Sequence, residues 1–260
     1  MRLSANRSGS GQPLVLIHGT GSCKEAWDPV RPALERDHEV IALDLPGFGE
    51  SPPLEGRHTV EALTDAVEEG LTEAGLDAPA VVGNSLGGWI ALELARRGRA
   101  SSVVAISPSG LWTPREAAYV RLMVLAHWRL AKLIAPLGPL PGGWVGGLVM
   151  LARPWRLPPE AFALQARRLA GAVAVRDAID DQAAAPPRGL TELDVPVTIL
   201  WGRKDRLLFP RQARRFERLI PTAELRMLPG LGHIPMSDDP EAVAEAIRGG
   251  LGALVPDNAP

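Results

Sequence analysis

Ser85 lies in Gly83-Asn84-Ser85-Leu86-Gly87, after the apolar pair Val81-Val82 and before a helical stretch that opens near Leu86. The pattern G-x-S-x-G at a strand-to-helix junction describes a sharp turn that lifts a serine hydroxyl above the strand ends. A side chain at Gly83 or Gly87 would meet the neighbouring strand or helix, so both positions must be small. The helix also aims its N-terminus at the hydroxyl, where the N–H of Leu86 can meet a developing negative oxygen. The turn alone also fits a glycine-rich connection without chemistry, and other residues must decide. A serine hydroxyl is a weak nucleophile at neutral pH. It needs a base within hydrogen-bond reach, and the base needs a buried acid to fix its tautomer. The base that fits is His233, in Pro229-Gly230-Leu231-Gly232-His233-Ile234-Pro235, and the acid is Asp205, in Trp201-Gly202-Arg203-Lys204-Asp205. A second oxyanion donor is expected at Thr20, in His18-Gly19-Thr20-Gly21. Two preorganised donors stabilise a tetrahedral oxyanion, and losing one typically costs about 10²–10³ in rate.

These residues need a scaffold that brings them together. Leu14 to Ile17 is a continuous apolar run, as are Val40 to Leu43, Ala80 to Val82, Val103 to Ile106 and Val197 to Trp201. Continuous runs predict parallel strands buried on both faces. Between them, Val60, Leu63, Val67 and Leu71 recur at helical spacing and Gly75 supplies a stop. Asp28-Pro29 reads as a helix start, with the helix running to about Arg36. A strand at Glu224 to Leu228 and a helix opened by Asp239-Pro240 close the pattern. One short strand fits before Leu14. Strand–helix alternation predicts an α/β fold, a mostly parallel central sheet flanked by helices. Ser85, Asp205 and His233 each follow a strand, so all three fall at the sheet edge where ligands bind in such folds. From Ser109 to Gly189 no strand is expected. Prolines and glycines punctuate helical stretches there, and Trp112, Trp128, Trp144 and Trp155 fall in them. The predicted division is a core of residues 1–108 and 190–260 with a helical lid at 109–189.

The chain resembles an α/β-hydrolase-fold enzyme of the carboxylesterase and carbon–carbon bond hydrolase-like branch. The resemblance rests on His18-Gly19-Thr20-Gly21, Asp44-Leu45-Pro46-Gly47-Phe48-Gly49-Glu50-Ser51, Gly83-Asn84-Ser85-Leu86-Gly87-Gly88, Gly202-Arg203-Lys204-Asp205 and Gly232-His233, in the family's order, and covers nearly all the chain outside the lid. It implies a serine hydrolase acting on a carboxylic ester of a largely hydrophobic small molecule, without a cofactor. The alternatives it leaves open are a carbon–carbon bond hydrolase of ring-cleavage diketones, a thioesterase or a lactonase. A non-catalytic ligand-binding protein on the same fold is a further class. In the carbon–carbon hydrolases a tryptophan often follows the catalytic histidine, whereas Ile234 stands here. Relatives that open epoxides or cleave carbon–halogen bonds use aspartate at the elbow, where this chain has serine.

Composition narrows the partners. The 260 residues carry a net charge of −2, so no global basic field is available for nucleic acid or an anionic membrane. A single cysteine, Cys23, excludes an internal disulfide and a thiolate cluster. No Rossmann or phosphate-loop fingerprint occurs, and no histidine pair has metal-ligand spacing. The polar N-terminus does not read as a signal peptide and no window reaches a membrane span, so a cytoplasmic location is expected. The last residues, from Val255, read as a frayed tail. His18 is expected to shape the oxyanion loop; with Trp112, His127, Trp128 and Ile234 it completes the candidate substrate contacts. Leu122 to Leu125 and Leu130 read as an apolar roof. Arg153, Arg156, Arg167 and Arg168 are the basic residues able to hold a substrate carboxylate, with solvated helix faces as the default. Asp44 reads as a loop-fixing residue, Asp180 and Asp181 as solvated, and Asp238 and Asp239 as helix-start residues.

Overall fold

A computed structural model describes residues 2–139 and 143–252. Its seven strands are β1 (Ala5–Gly9), β2 (Gln12–Ile17), β3 (His38–Leu43), β4 (Ala80–Asn84), β5 (Ser102–Ile106), β6 (Val197–Gly202) and β7 (Ala223–Leu228). They form one sheet in the order β1-β3-β2-β4-β5-β6-β7. β1 runs antiparallel to β3 at one edge, and every other pairing is parallel. The helices are α1 (Arg31–Leu34), α2 (Val60–Glu73), α3 (Leu86–Arg96), α4 (Pro114–Ile134), α5 (Pro159–Gly171), α6 (Val175–Ala184), α7 (Ala213–Leu219), α8 (Pro235–Asp238) and α9 (Pro240–Gly252).

The apolar runs are buried on both faces, and the two-residue period of a strand splits them between two cores. Val15, Ile17, Val81, Val103 and Ala105 face one core with Leu63 and Val67 of α2 and Ile90 and Leu94 of α3. Leu14, Leu16, Val82, Val104 and Ile106 face the other, against Trp27, Leu34 and the α9 residues Val243 and Ile247. Thr59 caps α2, its hydroxyl accepting the Ala62 N–H, and the left-handed Gly75 follows the helix end as its sequence predicts. The expected helix from Asp28 is shorter and later. Lys24–Trp27 is a 3-10 turn that Asp28 closes, and α1 begins only at Arg31, with proline among its first two residues.

Between β5 and β6 the described residues are helical or irregular. α4 opens with a capping box: Thr113 and Glu116 satisfy each other's backbone N–H groups. Glu116 also accepts hydrogen bonds from Arg211 and Arg215, which ties the start of α4 to the segment after β6. Asp180 and Asp181 are not merely solvated: Asp180 pairs with Arg121, and Asp181 accepts the Val60 N–H at the start of α2. The side chain of Trp144 and the expected tail from Val255 lie outside the described residues.

Candidate active site

Ser85 stands between β4 and α3 with φ 56° and ψ −114°. That backbone costs a non-glycine residue roughly 1–3 kcal/mol and persists only when its surroundings dictate it. They do so here. The Ser85 N–H donates to the Ile106 carbonyl at 2.9 Å, and the Ser85 carbonyl accepts the N–H groups of Trp89 and Ser109. The flanking glycines have no room for a side chain. A Cβ on Gly83 would fall 2.0 Å from the Gly87 carbonyl oxygen, and one on Gly87 would fall 2.1 Å from that of Ile17. Leu86 opens α3, so its N–H is one of the first-turn donors that lack an intrahelical acceptor.

Asp205 and His233 meet although 28 residues separate them. His233 Nδ1 lies 2.8 Å from Asp205 Oδ2, and both side chains are buried. The other carboxylate oxygen, Oδ1, accepts the N–H groups of Leu207 at 2.9 Å and Leu208 at 2.8 Å. A carboxylate can only accept, so Nδ1 carries a proton, and in the neutral ring that leaves the lone pair on Nε2. Ser85 and His233 line one cavity of about 210 Å³ together with Thr20, Trp112, His127 and Ile234. Most of its remaining wall is aliphatic or aromatic, from α4, α5 and the segment between them.

Two of the expected contacts lie elsewhere. His18 does not line the cavity. It is buried beneath the loop, its Nδ1–H donating to the Gly19 carbonyl and its Nε2 accepting the Leu45 N–H. Burial lowers its pKa and keeps the ring neutral, despite the opposing pull of the Gly19 carbonyl and of Asp44. Trp128 is also absent from the wall. It packs partly against the core, with the Lys132 ammonium 3.8 Å above its ring. Of the expected roof, Val124 and Leu130 line the cavity, Leu125 packs into the core, and Leu122 points to solvent. None of the four arginines considered for a substrate carboxylate reaches the wall; Arg168 instead pairs with Glu25.

Several supports had no local sequence signature. The Asn84 side-chain amide donates to the His233 carbonyl at 3.2 Å and to the Ile106 carbonyl at 3.1 Å, joining the serine turn to the histidine loop. Gln182 of α6 donates to Thr20 Oγ1 at 3.1 Å. Asp238, expected only to start a helix, is buried and accepts the N–H groups of Gly232, Ala152 and Arg153. The N–H groups of His233 and Ile234 both donate to the Met150 carbonyl. Asp239 does cap α9, through the Ala242 N–H. Asp44 fixes its loop by accepting from the Lys24 backbone and ammonium and from the Glu50 N–H. Cys23 is buried, which together with its hydrogen bond to Glu25 pushes its thiol up to about 12. Among the described residues no cluster of three or more His, Cys, Asp or Glu could hold a metal ion, and no helix is long and apolar enough to cross a membrane.

The sequence profile of the alpha/beta hydrolase family matches residues 14–246. The chain belongs to the alpha/beta hydrolase family. Among its relatives in that family is the epoxide hydrolase EphH of Mycobacterium tuberculosis, 35% identical over 208 residues, 71% of this chain and 91% of that protein. Lipase 1 of Psychrobacter immobilis is 26% identical over 94% of this chain and 78% of its own length. A thermophilic esterase from Thermogutta terrifontis superimposes with a TM-score of 0.79 at 26% identity, covering 96% of this chain and 93% of its own. The seven-stranded, mostly parallel sheet is the fold expected of an alpha/beta hydrolase, and the chain is a hydrolase.

Proposed function

We propose that this alpha/beta hydrolase cleaves carboxylic esters of largely hydrophobic small molecules through an acyl-enzyme on Ser85. The observation that carries the reading is the buried 2.8 Å contact between His233 Nδ1 and Asp205 Oδ2, which leaves Nε2 as a base in the cavity that Ser85 also lines. His233 Nε2 takes the proton of Ser85 as Oγ attacks the ester carbonyl. The N–H groups of Leu86 and Thr20 receive the oxyanion. The imidazolium, stabilised by Asp205, then protonates the departing alcohol. A water that gives its proton to the same Nε2 attacks the acyl carbon, and as the intermediate collapses Nε2 passes that proton to Ser85 Oγ, releasing the acid and restoring the free serine. Apolar walls favour an aliphatic or aryl substrate over a charged one.

The name of the mycobacterial relative raises epoxide opening as a competing activity. Serine chemistry disfavours it. A serine oxygen that opened an epoxide would be left as an alkyl ether, which a histidine-activated water does not cleave, whereas an acyl ester is cleaved. The deciding experiment is labelling with a fluorophosphonate probe, beside Ser85→Ala and His233→Ala, together with turnover of p-nitrophenyl esters and ring-cleavage diketones. The expected result is labelling and ester turnover in the wild type and neither in the variants. Labelling that persists in Ser85→Ala would overturn the assignment, and turnover of diketones without esters would move it to carbon–carbon bonds.

A further inference from the structure

Exposed apolar side chains are unevenly spread over this molecule. Of the nine large hydrophobic residues exposed among the described residues, eight fall between positions 122 and 173, and only Leu219 lies elsewhere. On α4 they form a stripe. Leu122, Ala126, Arg129, Leu130 and Leu133 are all exposed and recur at steps of four, three, one and three residues, which places them on one helix face. Leu137, in the turn that continues α4, extends it. Leu133, at 73% exposure, is the most exposed of these leucines. The stripe reaches the active-site cavity, because Leu130 belongs to both, and Ile134 one turn on also lines the wall.

Charge follows the same division. Residues 109–189 hold ten Lys or Arg and five Asp or Glu, a net of +5, and the rest of the chain holds 18 against 25, a net of −7. The overall −2 conceals this asymmetry. Four of those five carboxylates are engaged. Glu116 meets Arg211 and Arg215, Asp180 meets Arg121, and Asp177 and Asp181 accept the backbone N–H groups of His58 and Val60. By contrast, Arg115, Arg129 and Lys132 have no carboxylate partner among the described residues. Arg115 stands two turns before Leu122 on the same face. The exposed side of α4 is therefore leucines interleaved with unneutralised cations.

We propose that this face of α4 docks on an anionic lipid surface. Leucines would enter the boundary between headgroups and acyl chains while Arg129, Arg115 and Lys132 meet phosphates. The acidic remainder is repelled by the same surface, so the charge separation also orients the molecule with α4 down. A second copy of the chain fits the face less well, since a two-fold contact would set the same cations against each other. Resting on the ester-hydrolase reading, the consequence is that amphiphilic esters enter the cavity past Leu130 directly from the lipid.

The test is co-sedimentation of the full chain with vesicles of phosphatidylcholine alone and with added phosphatidylglycerol, at low and high salt. Binding is expected to be at least about ten-fold stronger on the anionic vesicles and to weaken with salt. Arg129→Gln should weaken it about five-fold, and Leu122→Gln with Leu133→Gln by about ten-fold or more. These three residues lie off the cavity wall, so turnover of a short, water-soluble ester stays at the wild-type level. Equal binding to both vesicles, no binding to either, or full binding by the double leucine variant would overturn the proposal. So would a dimer in light scattering that Leu133→Gln dissociates. Vesicle binding by a wild type that neither labels nor turns over esters would refute the ester reading and leave the docking surface standing.

Discussion

Asp205→Asn is the most informative single change, because the structure dictates which atom the amide must turn towards His233. Asp205 Oδ1 accepts two backbone N–H groups, from Leu207 and Leu208. The asparagine oxygen must take that place. The flipped amide would set its own N–H groups against two buried donors and leave both unpaired, at about 1–3 kcal/mol each. The amide nitrogen is therefore driven to face His233 Nδ1 at the position Oδ2 held, 2.8 Å away. It can only donate, so Nδ1 must accept and the ring proton moves to Nε2. A base that already carries its proton cannot take one from Ser85. The expected fall in kcat is about 10⁴-fold, roughly 5.5 kcal/mol in the barrier, with the fold retained because both loop hydrogen bonds survive. The assay is p-nitrophenyl butyrate hydrolysis across neutral to alkaline pH, paired with thermal denaturation and imidazole nitrogen chemical shifts to read the tautomer. Asp205→Ala separates the two roles, since it also orphans the Leu207 and Leu208 N–H groups and lowers Tm. A folded Asp205→Asn variant that loses less than about ten-fold in kcat would refute Asp205 as the orienting acid.

Other perturbations follow from the same contacts. Gly87→Ala forces a Cβ to 2.1 Å from the Ile17 backbone oxygen, and should cost several °C in Tm or the soluble fold itself, seen by calorimetry. Asp238→Ala leaves the Gly232, Ala152 and Arg153 N–H groups without their acceptor, and should reduce kcat through a displaced His233 loop while leaving the elbow intact to crystallography. Burial alone would raise the Glu116 pKa, but the hydrogen bonds from Arg215, Thr113 and Arg211 win and hold it at about 2. Its folded pKa is depressed, so its contribution to stability is present above about pH 4.5 and lost as pH falls towards 2; Glu116→Gln should flatten that part of the acid unfolding curve. Cys23, with its thiol near 12 and buried, should resist a thiol reagent in the native protein and react fully after denaturation.

The candidate site residues were legible because each sits in a motif whose spacing has a physical reason. Gly83 and Gly87 announce the elbow around Ser85, and the ends of β6 and β7 announce Asp205 and His233. The sheet was legible for a similar reason: its apolar runs have no alternative but burial on both faces. The supports were not. Asn84 reaches across 149 positions to the His233 carbonyl, and Asp238 reaches across 86 to Ala152. Such contacts leave no periodicity, and a polar residue that satisfies a distant backbone looks in sequence like any helix cap. One expected substrate contact, His18, failed for a related reason. His18 stands beside Gly19-Thr20-Gly21 in sequence, yet its ring turns under that loop to hold Gly19 and Leu45. Net charge misled by summation, since +5 and −7 cancel to a number without a pattern.

The histidine loop is held largely from outside the sheet. His233 and Ile234 hang by their backbone on Met150, and Asp238 grips Ala152 and Arg153, all contributed by the chain between β5 and β6. The His233 loop is thus positioned by a long-range contact, between a segment from the middle of the chain and a loop some 80 residues later. Replacing the segment between β5 and β6 with a foreign one would leave the turn around Ser85 in place and unseat the His233 loop, unless the graft brings its own counterpart of residues 150–153.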